Sequence, residues 1–448
     1  MRVNRLVIHF MASLILTMAS LMLIIKNQPS DLFSYSWAII IFLIVGNLII
    51  REKVDFQPVF TIYLLYLFLV YLMYLMNLQI FPDWLGFTGP YGNGIGTDDS
   101  RFYAAITSNI GQLPLKAQQY SVFTSFYASF LAILYPFKIE SPINVLFVNA
   151  IPLALLPFYS KKLYCEFFNT KKNSNKVFLL LAICPLTLSN GLILIREVWI
   201  SMFLVASLYY LYKKQIFRWA LFSLGSVLFR YSTITFIVII AYLYRTIALK
   251  KIRNKIKSVL ILISVVLMFI GLYVVFFNYL IEEMGLSLLG RISFIEGFIF
   301  KDDEDSVLYA ISSYQDYIRI PLTFVFFFLS PYLNIEPLSG SVINIRGIMQ
   351  GILAPLLFFV YYYYYIKGFI YSVLNKNKGQ KIAFNIHLTY ILLVLLISNY
   401  SMQIRHLTMI LPFFYILVVY GIANGGKTSQ FIALIFSIPI VLVNIYFL

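Results

Sequence analysis

Residues 6–25 read LVIHFMASLILTMASLMLII, an apolar run that contains no acidic residue, Lys or Arg. A helix of this length crosses the hydrocarbon core of a bilayer, which is roughly 30 Å thick. The run is typical of the whole chain, since 61% of the 448 residues are hydrophobic, 12% are charged and the mean hydropathy is +0.86. An ordinary soluble domain has about 25% charged residues. The composition therefore excludes a soluble enzyme, a disordered protein and a nucleic-acid-binding domain, and it predicts an integral membrane protein.

Similar apolar runs follow along the chain, separated by polar segments. They lie at residues 34–50, 57–80, 119–137, 142–160, 177–195, 198–212, 217–229, 231–244, 258–280, 320–335, 347–366, 382–400, 407–423 and 429–448. We expect an all-α fold, a polytopic transmembrane helical bundle of about 13 spans (about 11–15), forming a single integral-membrane domain over residues 1–448. Arg2 and Arg5 precede the first run, which predicts a retained span whose N-terminus is cytoplasmic.

The charges between the runs set the expected topology, because Lys and Arg collect in cytoplasmic loops. Two large extracytoplasmic loops then fall at about residues 81–118 and 281–318. The chain leaves the exterior loop 81–118 and must reach a Lys-rich cytoplasmic loop after residue 160, which takes an odd number of crossings, whereas two apolar runs, 119–137 and 142–160, lie between them. The run 320–335 gives the same conflict after the second exterior loop. We therefore expect re-entrant or interfacial helices, which are tolerated where protein covers their backbone.

Lys and Arg are distributed unequally on this topology. Lys dominates the interior loops, whereas seven of the ten basic residues placed outside are Arg. The orientation rule does not distinguish the two residues, but only Arg presents a planar fork of donors that fits phosphate oxygens bidentately. We predict that Arg196, Arg230 and Arg405, which adjoin apolar sequence, line one outward-facing site for an anionic, phosphate-bearing ligand. Further candidates for this site are Arg101, Arg291 and Arg319. The simpler alternative is that each exterior Arg contacts lipid headgroups or pairs with an exterior acid.

The adjacent acids Asp98 and Asp99 follow a Gly-rich stretch at residues 91–96 and precede an amphipathic segment. Acids at a helix start complement the helix dipole, which is their simpler role. The alternative is a general base, or a carboxylate that stabilises the cationic transition state of a sugar transfer.

Glu197 and His406 are the remaining candidate catalytic residues. Glu197 follows Arg196 directly and most simply neutralises it, with base chemistry as the second interpretation. His406 follows Arg405 and is either structural or an acid–base group. Cys165 and Cys184 have no metal-ligand or disulfide spacing, and the sequence contains no phosphate-binding Gly-Lys-Ser/Thr loop. We therefore expect neither a metal nor a cofactor.

Three short motifs together carry a family resemblance. Arg196-Glu197 starts a span, Leu-Phe-Arg230 ends a later one, and Arg405-His406 precedes Pro412 after a large late exterior loop. This arrangement resembles the O-antigen and capsule repeat-unit polymerases of bacterial cytoplasmic membranes. The segment from Gly96 to Tyr103 is also similar to the paired-acid loop of glycosyltransferases that use polyprenyl-phosphate sugars.

The resemblance to the polymerases implies an activity, a location and partners. The protein would be a glycosyltransferase of polysaccharide and lipopolysaccharide biosynthesis that joins undecaprenyl-diphosphate-linked repeat units. It would act in the bacterial inner membrane, with its site facing the periplasm or exterior. Its partners would be lipid-linked glycans, membrane lipid and a chain-length regulator protein, with no nucleic acid. The Arg residues would bind the diphosphate and stabilise charge on that leaving group.

Two other functions are compatible with the sequence. A glycosyltransferase using polyprenyl-monophosphate sugars would add single residues, and the Asp98-Asp99 loop favours it. A lipid-linked oligosaccharide flippase would need charges along a cavity at mid-membrane, whereas the Arg residues here are predicted near the outer boundary.

Overall fold

The computed structural model describes residues 2–87, 98–109, 122–230, 232–248, 316–334, 345–374, 377–400 and 404–446. Within these ranges the regular structure is helical and no strand occurs. Helices are the form expected of apolar spans, because each backbone N–H and C=O in lipid must be bonded within the protein. The prediction of an all-α fold is confirmed.

Six helices in the described ranges are long and apolar enough to cross a membrane. They are Val7–Asn27, Asp31–Ile49, Val54–Ile80, Ile143–Phe168, Ile345–Leu374 and Gly379–Ser398. Three further apolar helices are shorter, namely Glu197–Tyr212, Ile216–Phe229 and Leu411–Ala423. These helices show a helical membrane protein, whereas the predicted number of about 13 spans is not confirmed.

The first three helices match the first three predicted spans. They are α1 (Arg2–Asn27), α2 (Asp31–Ile49) and α3 (Lys53–Ile80). The predicted loop that begins at residue 81 contains a 3₁₀ turn, Pro82–Trp84, and a helix, α4 (Asp98–Asn109). The loop therefore has secondary structure of its own, although residues 88–97 and 110–121 lie outside the described part.

The paired runs 119–137 and 142–160 differ in helix length. The first forms α5 (Val122–Leu134), whose 13 residues extend about 20 Å. The second forms α6 (Ile143–Asn149) and α7 (Ile151–Phe168), which together make a 26-residue apolar segment buried inside the protein. Only this second segment is long enough to cross a bilayer. Residues 119–121 of the first run lie outside the described part, so the expectation that one run of the pair is interfacial or re-entrant stays a prediction.

The prediction of one continuous span over residues 177–195 is wrong. The chain instead forms two short helices, α8 (Ser174–Ala182) and α9 (Pro185–Gly191), followed by a non-helical segment, residues 192–196. Pro185 explains the break, because proline lacks the N–H that would continue the helix and restricts the residue before it. The non-helical segment ends at Arg196, so the break determines where that residue lies.

The next three helices pack around one another in the middle of the fold. They are α10 (Glu197–Tyr212), α11 (Ile216–Phe229) and α12 (Thr233–Ala248), with bounds close to the predicted spans. Helix α10 contacts α7, α11 and α12, and nearly all of its residues are buried. The predicted span 258–280 lies outside the described residues, as does nearly all of the predicted loop 281–318.

Among the described residues after 315, five longer helices occur. They are α13 (Asp316–Leu329), α14 (Ala354–Leu374), α15 (Lys378–Tyr400), α16 (Leu411–Ala423) and α17 (Lys427–Tyr446). A turn at Ile345–Ile348 and a π-helical turn at Met349–Leu353 extend α14 at its start. A 3₁₀ helix, Ile404–Met409, joins α15 to α16.

Salt bridges on the Lys-rich side of the chain join α3, α7 and α10. Lys161 and Lys162 contact the two carboxylate oxygens of Asp55 at 2.8 and 2.7 Å, and Lys213 contacts Glu166 at 2.6 Å. Lys213 follows the last residue of α10, whereas Glu197 is the first. The 16 residues of α10 separate these two ends by about 24 Å. The Lys-rich end and the Glu197 end are therefore opposite ends of the same helix.

Candidate functional site

Glu197 is the centre of a charged cluster at the start of α10. Its carboxylate oxygen Oε1 lies 3.6 Å from Arg230 Nη1, 4.0 Å from Arg405 Nε and 3.3 Å from His406 Nε2. The side chain of Glu197 is only 4% exposed. The start of a helix stabilises a carboxylate through the helix dipole, and the two guanidinium groups compensate its burial. The structure thus brings together four of the predicted site residues, counting Glu197 itself.

Arg230 is held by the turn between α11 and α12. Its backbone N–H donates to the carbonyl oxygen of Ser226 at 3.1 Å. Its own carbonyl oxygen accepts from the backbone N–H and the hydroxyl of Thr233, at 3.0 and 2.7 Å. These bonds hold the backbone of Arg230 at the end of α11, from which its guanidinium group contacts Glu197.

Arg405 and His406 are presented by the 3₁₀ helix Ile404–Met409. Thr408 of this helix accepts a hydrogen bond from Asn190 Nδ2 at 2.8 Å. The side-chain oxygen of Asn190, Oδ1, in turn accepts a hydrogen bond from Gln350 Nε2 at 3.1 Å. Asn190 therefore links this 3₁₀ helix to α9 and to the π-helical turn before α14.

Arg196 lies at the N-cap of α10, directly before Glu197. Its guanidinium carbon is 5.4 Å from the centre of the Phe102 ring on α4. Phe102 is buried and packs edge-on against Tyr127. Arg196 therefore extends towards α4, the helix that begins with the predicted Asp98-Asp99 pair.

The buried Asn149 connects four elements around Arg196. Its side-chain oxygen accepts from Tyr127 of α5 at 2.7 Å and from Trp199 of α10 at 2.8 Å. Its amide nitrogen donates to the carbonyl oxygen of Ile193 at 2.8 Å and, at 3.5 Å, to that of Ile195. The Ile193 carbonyl oxygen also accepts the backbone N–H of Ile195 at 3.0 Å, so the Asn149 amide adds a second bond to a turn within the non-helical segment.

Asp98 and Asp99 are the first two residues of α4. Asp99 is buried, and its carboxylate accepts the backbone N–H of Ser100 at 3.0 Å. It also lines a small recess together with Tyr74, Asn77, Phe87, Leu192 and Leu194. The bond to Ser100 joins neighbouring residues, so the choice between the helix-start role and base chemistry stays a prediction. The recess places Asp99 beside the non-helical segment that leads to Arg196.

Three other predicted Arg residues are only partly covered by the structure. Arg101 lies on α4 and Arg319 on α13, but their side chains are outside the described part, as is that of Asp98. Arg291 lies entirely outside it. Their predicted part in binding stays a prediction.

The cluster is positively charged and partly accessible. Arg230 and Arg405 carry two positive charges against one from Glu197, and their side chains are 19% and 22% exposed. Burial, with Arg230 nearby, lowers the pKa of His406 to about 3, so its imidazole is neutral at physiological pH. The arrangement can therefore accept an additional anion, and neutral His406 is a hydrogen-bond donor to Glu197.

The described residues contain no group of three or more His, Cys, Asp or Glu side chains placed to hold a metal ion. Asn149, Asn190 and Thr408 were not predicted as part of the site. Asn149 and Asn190 lie within or beside apolar runs, where a buried amide usually has a specific hydrogen-bond partner. This position is the feature of the sequence from which their structural role could have been predicted.

No protein-family profile, curated protein or solved structure matches this chain.

Proposed function

We propose that this protein is a membrane glycosyltransferase that polymerises oligosaccharide repeat units carried on undecaprenyl diphosphate. The observation that carries the proposal is the convergence of Arg230, Arg405 and His406 on the buried Glu197 carboxylate. Arg230 lies far from Arg405 and His406 in the sequence. All three side chains meet at the start of α10, at the end opposite to Lys213.

In this proposal the guanidinium groups bind the diphosphate of the donor lipid. A guanidinium group has five N–H donors in a planar fork, enough to serve a carboxylate and a phosphate together. Glu197 holds Arg230 and Arg405 close to one another, while their partial exposure leaves them accessible to a ligand. Arg196, next to Glu197, adds a further positive charge beside the same helix start.

The depth of the cluster is consistent with a lipid-borne ligand. Helices α10 and α11 have 16 and 14 residues, and they extend about 24 and 21 Å from the Lys213–Arg218 turn. The hydrocarbon core is roughly 30 Å thick. If the turn lies at one boundary of the core, Glu197 and Arg230 lie about 6–9 Å below the other, within reach of a diphosphate group that enters from the headgroup layer.

The proposed reaction is a substitution at the anomeric carbon of the donor sugar. A hydroxyl oxygen of the acceptor unit forms the new bond to that carbon, and the bond from carbon to the diphosphate oxygen breaks. The diphosphate leaves with the electron pair, and the Arg groups stabilise its developing charge. The hydroxyl proton passes to a carboxylate, for which Asp98, Asp99 and Glu197 are the candidates. Neutral His406 is suited to donating a hydrogen bond.

One observation favours the second candidate function, a transferase that adds single sugars from a polyprenyl monophosphate. Asp99 lies beside the segment that leads to Arg196, where it lines a recess of about the size of one water molecule. A paired-acid loop next to the Arg residues is the feature that this function shares with the resemblance described above. A single phosphate would still require the Arg cluster, so the two functions differ in product rather than in site.

A surface-glycan gel from a strain lacking the gene distinguishes the functions. We expect single repeat units without the gene and a ladder of chain lengths after complementation with it. One added sugar in place of a ladder would support the monophosphate-sugar transferase. Complete absence of surface units in the deletion strain would support a flippase and contradict both transferase proposals.

A further inference from the structure

We infer that Asn149 is a positioning residue for the proposed site, holding Arg196 and Glu197 in place without contacting the ligand. The inference rests on the proposed function. It begins from the non-helical segment, residues 192–196, which connects α9 to α10 and ends at the two charged residues. Its backbone bonds tie its two ends to α9 and α10 and form one internal turn, from Ile195 N–H to the Ile193 carbonyl oxygen. The Asn149 side chain adds bonds from a separate helix, α6, to the carbonyl oxygens of this turn.

The orientation of the Asn149 amide is fixed by its partners. Trp199 Nε1 is only a donor, so the atom 2.8 Å from it must be the amide oxygen. Tyr127 donates to the same oxygen at 2.7 Å. The amide nitrogen is thereby directed at the carbonyl oxygens of Ile193 and Ile195. A side chain that is 1% exposed thus uses both its acceptor and its donor capacity.

The partners of Asn149 also lead to both charged residues. Trp199 is two residues after Glu197 on α10, and Ile195 directly precedes Arg196. Tyr127 packs edge-on against Phe102, whose ring lies 5.4 Å from the Arg196 guanidinium carbon. Asn149 therefore hydrogen-bonds to one residue before the Arg196-Glu197 pair, Ile195, and to one after it, Trp199. It also bonds to Tyr127, which packs against the Phe102 ring next to Arg196.

Asn144 provides a matched control on the same short helix, α6. It is also buried, its oxygen accepts the backbone N–H groups of Glu140 and Ser141, and its nitrogen donates to Ser34. None of these partners belongs to the charged cluster. Replacing either Asn by Asp removes the amide donor, leaves an acceptor oxygen and adds one carboxyl group. The pair Tyr127→Phe and Tyr135→Phe, which adds no charge, separates the loss of a bond from the effect of that carboxyl group.

The test uses the purified full-length protein in detergent, with farnesyl diphosphate as the probe and farnesol as the reference ligand. We expect Asn149→Asp to lower the affinity for farnesyl diphosphate by about tenfold or more, because a displacement of about 1 Å weakens a binding constellation by at least that factor. Asn144→Asp should leave the affinity within about twofold, even where the two variants lower the Tm equally. Equal affinities for the two variants would overturn the inference.

A second pair of variants covers the case in which Asn149→Asp does not fold. Tyr127→Phe removes only the hydroxyl that bonds Asn149, and Tyr135→Phe removes one that contacts Ser34. We expect a weaker affinity for farnesyl diphosphate in Tyr127→Phe alone; the same affinity in both would overturn the inference.

Arg196→Ala separates this inference from the proposed function. If the unaltered protein does not prefer farnesyl diphosphate to farnesol, or if Arg196→Ala binds it as well as the unaltered protein, the role proposed for Arg196 fails and the inference fails with it. If those two results are as expected but the Asn149 and Tyr127 variants behave like their controls, only the positioning role of Asn149 is wrong.

Discussion

At the scale of single residues, Glu197 is the group on which the cluster depends. Its Oε1 atom is within ion-pair distance of Arg230 and Arg405, and its side chain is nearly inaccessible to solvent. Its other carboxylate oxygen, Oε2, is buried and has no hydrogen-bond partner in the described part of the chain. A carboxylate in this position holds two like charges close together, which would otherwise repel one another.

We expect Glu197→Gln to destabilise the protein by on the order of 2 kcal/mol or more, because removing one partner of a buried ion pair leaves the other charges uncompensated. Glu166→Gln is the control, since Glu166 contacts Lys213 at the opposite end of α10 and is 29% exposed. That variant should lose less than about 1 kcal/mol. Thermal unfolding in detergent measures both losses of stability. Equal losses would show that the ion pairs of Glu197 contribute no more to stability than the more exposed pair of Glu166.

Burial lowers the pKa of His406 to about 3, well below the usual value for histidine, so the imidazole is not expected to titrate near pH 6.5. We expect His406→Gln, which keeps a neutral donor, to retain activity within about threefold, and His406→Ala to lose more than that. The activity of the unaltered protein should show no step near pH 6.5, because a lowered pKa keeps the imidazole neutral throughout that range. Polymerisation rates from pH 5 to 8 measure this; loss of all activity in His406→Gln would instead support acid–base catalysis.

The residues of the cluster could be predicted from sequence, but the reason for their positions could not. An Arg at the edge of an apolar run is a conspicuous signal, since charges there are costly. This signal predicted Arg230 and Arg405, which contact Glu197, and also Arg196, whose guanidinium group lies over the Phe102 ring and whose part in the same site stays a prediction. Asn149 gives a weaker signal, because a neutral amide in an apolar run is compatible with many local bonds, and only the fold brings it to the carbonyl oxygen of Ile193.

At the scale of helices, the sequence predicted where apolar segments lie better than where they break. The bounds of α10 and α11 follow from their apolar composition and their flanking charges. The run 177–195 was expected to be one span, yet it contains Pro185 and divides into α8 and α9. Hydropathy alone does not report such a break, because all of the segments around it are equally apolar.

Close contact between α14 and α16 depends on glycine. A side chain at Gly421 would collide with the carbonyl oxygen of Tyr364, and the two helices also meet at Gly368. Small residues at such contacts allow helix backbones to approach closely in membrane proteins. Backbone atoms cannot move aside as a flexible side chain can, so the contact tolerates little added volume.

We expect Gly421→Ala to destabilise the protein by about 1–3 kcal/mol through overpacking. Gly379→Ala is the matched control, because it also lies in a helix and its new methyl group would meet nothing within 4 Å. That change should be neutral or stabilising by up to about 1 kcal/mol, since Ala is the better helix former. Tm values of the two variants test this, and a stabilised Gly421→Ala would show that α14 and α16 are less tightly packed than described.

At the scale of the whole molecule, the distribution of charge along the chain predicted the arrangement of the two ends. Lys213 forms a salt bridge at one end of α10, and Arg230 and Arg405 meet at the other end. Lys161 and Lys162, which bind Asp55, lie within the second half of α7. The number of crossings could not be predicted equally well. Short helices such as α5 and α11 are as apolar as longer ones, and only their length and packing distinguish a full crossing from a partial one.

The central claim is that the Arg groups at the Glu197 end bind a lipid diphosphate, and Arg230 tests it most directly. Arg218 is the matched control, because it lies near the start of the same helix, α11, where it packs over the Tyr210 ring. Each is replaced by Lys, which keeps the charge but loses the planar fork.

The measurement is the surface-glycan ladder of a gene-deletion strain complemented with each variant, at equal protein levels. We expect Arg230→Lys to shorten the ladder to single repeat units and Arg218→Lys to restore its full length. A full ladder with Arg230→Lys, or the same loss with Arg218→Lys, would contradict the claim.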